Sequence, residues 1–214
     1  VDVELSKEIE QFRLVVRDFV NRVVEPAAGV IEDEDRIPEE LVQQAKQLGL
    51  FGLSIPGGFG LNMTEKCVIL EELGKTHNGF TSFIGAHSGI GSVGIIELGN
   101  EEQRLTFLPA MAAGEKIGAF ALTEPEAGSD AANLRTTAVR KRDRCILNGI
   151  KHFITNGPEA DVVTVMAVTD PSKGIRGITS FLVEAGFPGF RKGLADRKMG
   201  LRGSHICELF FEDC

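Results

Sequence analysis

Apolar residues in the first half of the chain recur at helical spacing. Leu5, Ile9, Phe12, Val16, Phe19 and Val23 step by three and four with charges between them, which predicts an amphipathic helix that Pro26 stops. Pro38 opens a second helix at a first-turn position, with Glu39 and Glu40 at the positive end of its dipole, and Gly49 closes it. After the Pro/Gly loop IPGGFGLN at residues 55–62, Thr64 is the expected cap of a third helix that runs through Leu73 to Gly74. Residues 80–98 read as one nearly uncharged helix with glycines at 85, 89, 91 and 94. Each glycine costs an isolated helix roughly 1 kcal/mol, so this one is either closely packed by neighbours or approached by a ligand. Asn100, followed by Glu101 and Glu102, starts a last helix to about Ala113.

Beyond Gly114 the period changes. IGAFAL, TTAVRK, CILNG, KHFIT, DVVTVMAVT, GITSFLVE and CELFFED are short and rich in β-branched and aromatic residues. Turn signals separate them, Asn148-Gly149 and Asn156-Gly157-Pro158 among them. Helices followed by strands, rather than alternating with them, predict an α+β chain in separate layers. The expected domains are an all-α unit over residues 1–116 and an antiparallel β-barrel or sandwich over residues 117–214.

Composition narrows the function classes. The chain has 214 residues, 43% of them hydrophobic, and a net charge of −8. An acidic balance argues against nucleic acid as the main partner, because phosphate binding needs clustered Lys and Arg; the one local basic stretch is RTTAVRKRDR at residues 135–144. No apolar run is long enough for a membrane span. Cys67, Cys145, Cys207 and Cys214 are far apart without ligand spacing, which suits free thiols in a reducing compartment. His77, His87, His152 and His205 form no metal-type cluster, and neither GxSxG nor a strand-linked GxGxxG is present.

Chemistry concentrates at ALTEPEAGSDAANL, residues 121–134. Thr123 offers a hydroxyl and an amide at a strand end, Pro125 stiffens the turn, and Gly128 lets the backbone approach a ligand. Successive amides beside Gly128 and Ser129 form a nest for phosphate oxygens, and Asp130 is expected to hold the loop by accepting amide hydrogen bonds. The same residues also read as a well-capped strand-to-loop corner. In KHFITNG, residues 151–157, strand alternation puts Phe153 and Thr155 on one face. That pairing suits a flat heterocycle, or equally a core aromatic beside a β-former.

Taken together, these two segments resemble the acyl-CoA dehydrogenase family. LGLFGLSIP, VILEELGK, GAHSGIG, NEEQRLTFLPAMAAGE and KMGLRGSHICELFFEDC follow in the family's order, with details similar to the isovaleryl- and short-branched-chain members. The resemblance implies that FAD is held by Phe120, Ala121, Leu122, Thr123, Gly128 and Ser129, and by Phe153, Ile154 and Thr155. Phe153 takes the place of an aromatic, usually Trp, that covers the flavin. Ser129 also lies beside acyl-CoA, and the loop 172–176 brings Ile175 and Arg176 to the CoA.

The implied reaction is α,β-dehydrogenation of an acyl-CoA thioester. Hydride passes to flavin N5, hydrogen bonds at the ring stabilise the arriving charge, and an electron-transferring flavoprotein takes the electrons. The family's base is a glutamate in a C-terminal helical bundle that also builds a homotetramer. No match to that bundle follows residue 214, and Glu124 and Glu126 read as loop structure, so no catalytic base is nominated. The chain is then a fragment of an enzyme or a half-length, non-catalytic binding relative; an acyl-CoA oxidase-like flavoenzyme is a third reading. Its expected location is cytoplasmic if bacterial and the mitochondrial matrix if eukaryotic. The sequence departs from the family in its shorter 55–62 loop and in having neither Trp nor Tyr, with Cys145 at a common Tyr position.

Overall fold

A computed structural model describes residues 4–214. Helix α1 (Lys7–Phe19) is capped by Ser6, whose hydroxyl accepts from the Ile9 amide at 3.3 Å, and buries Ile9, Val16 and Phe19. Pro26 does not stop this run. The helix widens into a π-turn at Val20–Val24 and continues as α2 (Glu25–Glu34), with Pro26 in the first turn. A proline ring collides with the carbonyl four residues earlier in a regular α-helix; one wider turn immediately upstream absorbs it.

Helix α3 (Glu39–Gln47) follows Pro38, and Gly49 ends its last turn at φ 72°. Helix α4 (Met63–Leu73) is capped by Asn62 rather than by Thr64. The Asn62 side chain accepts from the Glu65 amide while the Glu65 carboxylate takes the Asn62 amide. That reciprocal pair satisfies two free helix donors at once, which a hydroxyl two residues later cannot do. On α4, fully buried Glu72 receives Arg13 and Arg17 of α1 and Lys75, at 2.8, 2.7 and 2.7 Å. Arg17 foremost holds its carboxyl well below the usual range.

The expected helix over residues 80–98 is two, α5 (Asn78–Ser88) and α6 (Ile90–Leu98), broken at Gly89 with φ −102° and ψ −108°. Close packing accounts for two of its glycines. A Cβ at Gly91 would meet the Gly118 carbonyl at 2.6 Å, and one at Gly94 would meet Thr164 at 2.9 Å. Helix α7 (Glu101–Ala112) is capped by Asn100.

Seven strands follow among the described residues: β1 (Gly118–Ala121), β2 (Thr137–Lys141), β3 (Arg144–Thr155), β4 (Val162–Val168), β5 (Ile178–Glu184), β6 (Phe190–Lys192) and β7 (Ile206–Phe211). The sheet is mixed rather than wholly antiparallel. β1 runs parallel to β4 from Gly118↔Val162 to Ala121↔Val165, and β2 meets β4 in parallel at Thr137↔Val168. Short alternating runs identify strands but carry no information about the direction of a distant partner. Asn148-Gly149 is not a turn: it lies inside β3, whose first part pairs with β2 and whose later part pairs with β7. Changing partner in mid-strand curls the sheet into a half-barrel around Ala121, Leu147, Ile154, Val165 and Leu209.

Two histidines join the helical domain to the sheet. Buried His87 of α5 donates from Nε2 to the Met111 carbonyl (2.9 Å) and accepts the Gly118 amide at Nδ1 (3.0 Å). Burial pushes its pKa down to about 4. His205 reaches the Glu159 carboxylate through Nδ1 and the Asp35 carbonyl through Nε2 at 2.6 Å. Asp35 presents that carbonyl because it ends α2 in the left-handed conformation, φ 51°. Burial lowers the His205 pKa, but Glu159 and the Asp35 carbonyl outweigh it, and the net direction is upward.

The two titrations have opposite signs. His87 must stay neutral, so stability falls as pH drops from 6.5 toward 4. Its contribution to that loss is about 3 kcal/mol, and urea unfolding of His87→Gln at pH 7 and pH 4 is expected to show a difference smaller by that amount. His205 stabilises when charged: its contribution is complete below its unfolded pKa and is lost as pH rises through the elevated folded value. The advantage of wild type over His205→Gln in unfolding free energy is expected to be about 1 kcal/mol at pH 6 and to shrink toward pH 9; an advantage that grows with pH would contradict the assignment.

Candidate functional site

Parallel pairing aligns the carboxyl ends of β1 and β4, and the loops that leave them, residues 122–136 and 170–177, emerge at the same end of the sheet. The first excursion ends where the Thr136 carbonyl accepts the Val168 amide at 2.8 Å, so the chain leaves the sheet beside β4 and re-enters it beside β4. Within it, Glu124 and Ala127 exchange both backbone hydrogen bonds, at 2.9 and 3.2 Å, around Pro125 and Glu126. TEPEA is therefore a tight reverse turn, with Pro125 supplying its fixed φ.

Glu124 holds this turn, a role the sequence suggested for Asp130. Asp130 is exposed. The Glu124 carboxylate is buried and accepts the amides of Arg135 (2.5 Å) and Thr136 (3.0 Å) and the ammonium of Lys151 (2.7 Å). Lys151, on β3, is fully buried and also donates to the Leu122 carbonyl at 3.0 Å. Burial raises the carboxyl's pKa, yet these donors outweigh it and leave it below the usual range. Burial likewise pulls the Lys151 ammonium down, against the attraction of Glu124. Sequence reading missed Lys151. The signal available was a lysine at an inward position of a strand, which in a sheet core requires a buried acid.

The next residue ties the backbone. The His152 amide donates to the Thr123 carbonyl at 2.8 Å, and the β3–β7 register then shifts between Lys151 and Ile154. This bulge sets aside the simple alternation expected for Phe153 and Thr155. Lys151 and Ile154 both point inward although three residues apart, and Phe153 between them has φ 56° and is 59% exposed. An aromatic residue at positive φ is uncommon and persists only where its surroundings enforce it.

The other expected site residues fall into two groups. Ala121 and Ile154 send their side chains into the β core, leaving only backbone to face a ligand. Thr123 and Thr155 are half-buried, while Gly128 and Ser129 are exposed. Among the described residues no acceptor takes the amides of Gly128, Ser129 or Asp130. Ile175 and Arg176 lie exposed in the 3-10 turn Pro171–Gly177 that follows β4. Among the described residues no group of His, Cys, Asp and Glu could hold a metal ion, and no helix is long and apolar enough to cross a membrane.

A helical domain docked on a curled mixed sheet, with free donors gathered where parallel strands end, is an architecture for holding a ligand beside the sheet. Residues 6–115 match the acyl-CoA dehydrogenase N-terminal domain and residues 119–214 its middle domain; the chain belongs to the acyl-CoA dehydrogenase family, a family of FAD-dependent dehydrogenases. It is 39% identical over 214 residues to an acyl-CoA dehydrogenase of Bacillus subtilis, covering 99% of this chain and 56% of that protein. To the mitochondrial isovaleryl-CoA dehydrogenase of Pongo abelii it is 41% identical, covering 98% and 51%.

Among solved structures, a chain from the electron transferring flavoprotein of Acidaminococcus fermentans superposes with a TM-score of 0.93 at 38% identity, over 100% of this chain and 57% of that one. The acyl-CoA dehydrogenase of Bacillus anthracis complexed with FAD gives 0.86 at 36% identity, over 98% and 36%. The chain thus spans about half the length of the curated relatives it matches.

Replacing Glu124 by Gln removes the counter-charge of a buried ammonium. The unfolding free energy is expected to fall by about 3 kcal/mol at neutral pH, measured by urea denaturation. A loss below about 1 kcal/mol would mean that solvent reaches Lys151.

Proposed function

We propose that this chain is the flavin- and thioester-binding part of an FAD-dependent acyl-CoA dehydrogenase that oxidises an acyl-CoA between its α and β carbons. One observation carries the reading: the free amides of Gly128, Ser129 and Asp130 lie on the same pinned turn as Thr123, and that turn is tied to the bulge bearing exposed Phe153. The donor set fits a flavin dinucleotide. Amides without partners suit pyrophosphate oxygens, the hydroxyls of Thr123 and Thr155 suit the polar edge of a heterocycle, and the Phe153 ring offers it a stacking face. When bound, FAD supplies the hydride acceptor for the dehydrogenation.

The chain's own residues orient and bind. Ser129 would face both cofactor and thioester, and Ile175 with Arg176 would meet the CoA, the guanidinium matching its phosphates. Proton removal is a different matter. Glu124 is paired with Lys151, and Glu126 lies exposed on the outside of the turn near Arg135. We assign the base to the half of the relatives' length that this chain does not span, together with the contacts of a homotetramer. An electron-transferring flavoprotein would take the electrons. A non-catalytic binding role is the second reading, favoured by the pairing of the turn's one buried carboxylate, Glu124, with Lys151.

The test is a visible spectrum and a flavin-fluorescence titration of the chain with FAD, then anaerobic addition of isovaleryl-CoA or butyryl-CoA. A perturbed flavin band is expected, with Ser129→Ala and Thr155→Val each weakening FAD about tenfold, or about 1.4 kcal/mol. The acyl-CoA is expected to shift the band without bleaching it. Bleaching would overturn our assignment of the base, and an unperturbed flavin would overturn the cofactor reading for this chain.

A further inference from the structure

A lysine without exposed surface sits beneath the turn, among residues expected at the flavin, and is itself none of them. Lys151 gives one hydrogen bond to Glu124 and one to the Leu122 carbonyl. Glu124 in turn holds the amides that close the turn at Arg135 and Thr136, and the residue after Lys151 takes the Thr123 carbonyl. Stability alone is a poor reason for this arrangement. Well-packed apolar residues of similar volume hold a core as well as a buried ion pair does, or better. What apolar residues cannot do is fix one carbonyl and two amides of a turn against a neighbouring strand. The ion pair also sits where the β3 bulge begins, two residues before Phe153 takes its positive φ.

We propose that Lys151 is a positioning residue for the flavin site: through Glu124 and the Leu122 carbonyl it joins residues 123–129 to the bulge at His152 and Phe153, so that both segments meet the cofactor as one body. This rests on the FAD reading given above. The amides of Arg135, Thr136 and His152 then open together, because one charge pair holds both segments.

The experiment compares the full chain with Lys151→Met and with Lys151→Met/Glu124→Leu. The double variant removes both charges and guards against simple misfolding of the single one. Amide hydrogen exchange is measured without flavin, and FAD is titrated by fluorescence and absorption. In wild type the three amides are expected to show protection within about threefold of one another. In the double variant, urea unfolding is expected to lie closer to wild type than in Lys151→Met. Exchange at His152 nevertheless stays at least about tenfold faster, and FAD affinity at least about tenfold weaker with an altered flavin band.

A double variant that recovers stability, exchange and the flavin band together would overturn the proposal, as would wild-type amides that open independently. If wild type shows the common opening and the variants lose it, but no chain perturbs FAD, the coupling of the two segments stands and the cofactor reading falls.

Discussion

A buried carboxylate and a buried ammonium, Glu124 and Lys151, 2.7 Å apart, hold together the end of the sheet where the unpartnered amides of residues 128–130 stand. Fifteen residues separate the end of β1 from the start of β2, yet both strands lie beside β4. Between its two ends, where Thr123 meets His152 and Thr136 meets Val168, no hydrogen bond among the described residues ties the backbone of this excursion to the sheet. Here its two arms are gathered by one side chain, because a carboxylate can accept from several donors at once. The charge is tolerable inside the sheet only because a cation meets it, and the cation is tolerable only because the acid and a carbonyl meet it. The exposed part of the turn therefore hangs from a fixed frame, and the free amides of residues 128–130 stand on it as a rigid scaffold presents a binding loop.

The helical domain supports this frame from the other side. The strand that leads into the turn begins at Gly118, and its amide is fixed by His87 of α5, which also holds the Met111 carbonyl of α7. Asn156, at the end of the bulged strand, donates to the Phe83 carbonyl at 3.0 Å. The helical domain thus grips β1 at its start and β3 at its end, and the ion pair joins the end of β1 to β3 a few residues before that strand ends. The buried acid of the turn, Glu124, is thereby committed to holding the backbone and Lys151.

Much of the architecture was legible from spacing. Apolar steps of three and four gave α1, Pro38 and Gly49 gave α3, Asn100 before two glutamates gave the start of α7, and short runs rich in β-branched and aromatic residues gave most of the strands. The misreadings have local causes. Pro26 predicts a stop, but the π-turn that absorbs it leaves no mark in a hydrophobic pattern. Thr64 has the chemistry of a cap, but Asn62, within the preceding loop sequence, forms the reciprocal box with Glu65. Asn148-Gly149 has the composition of a hairpin turn, yet here it lies within the strand where β3 passes from one partner to the next.

The sequence by itself determined the kind of elements, their order and the family, since these depend on periodicity and on motifs read in line. It also singled out residues 121–130 and 151–157 as candidate site segments. Only the tertiary structure decided how those two segments meet. Strand direction, the mid-strand change of partner and the Glu124–Lys151 pair are relations between residues far apart in the chain. No local propensity encodes such a relation, because the energy of a buried charge depends on which distant group comes to face it. For that reason Asp130 looked like the holder of the turn, and Glu124 holds it.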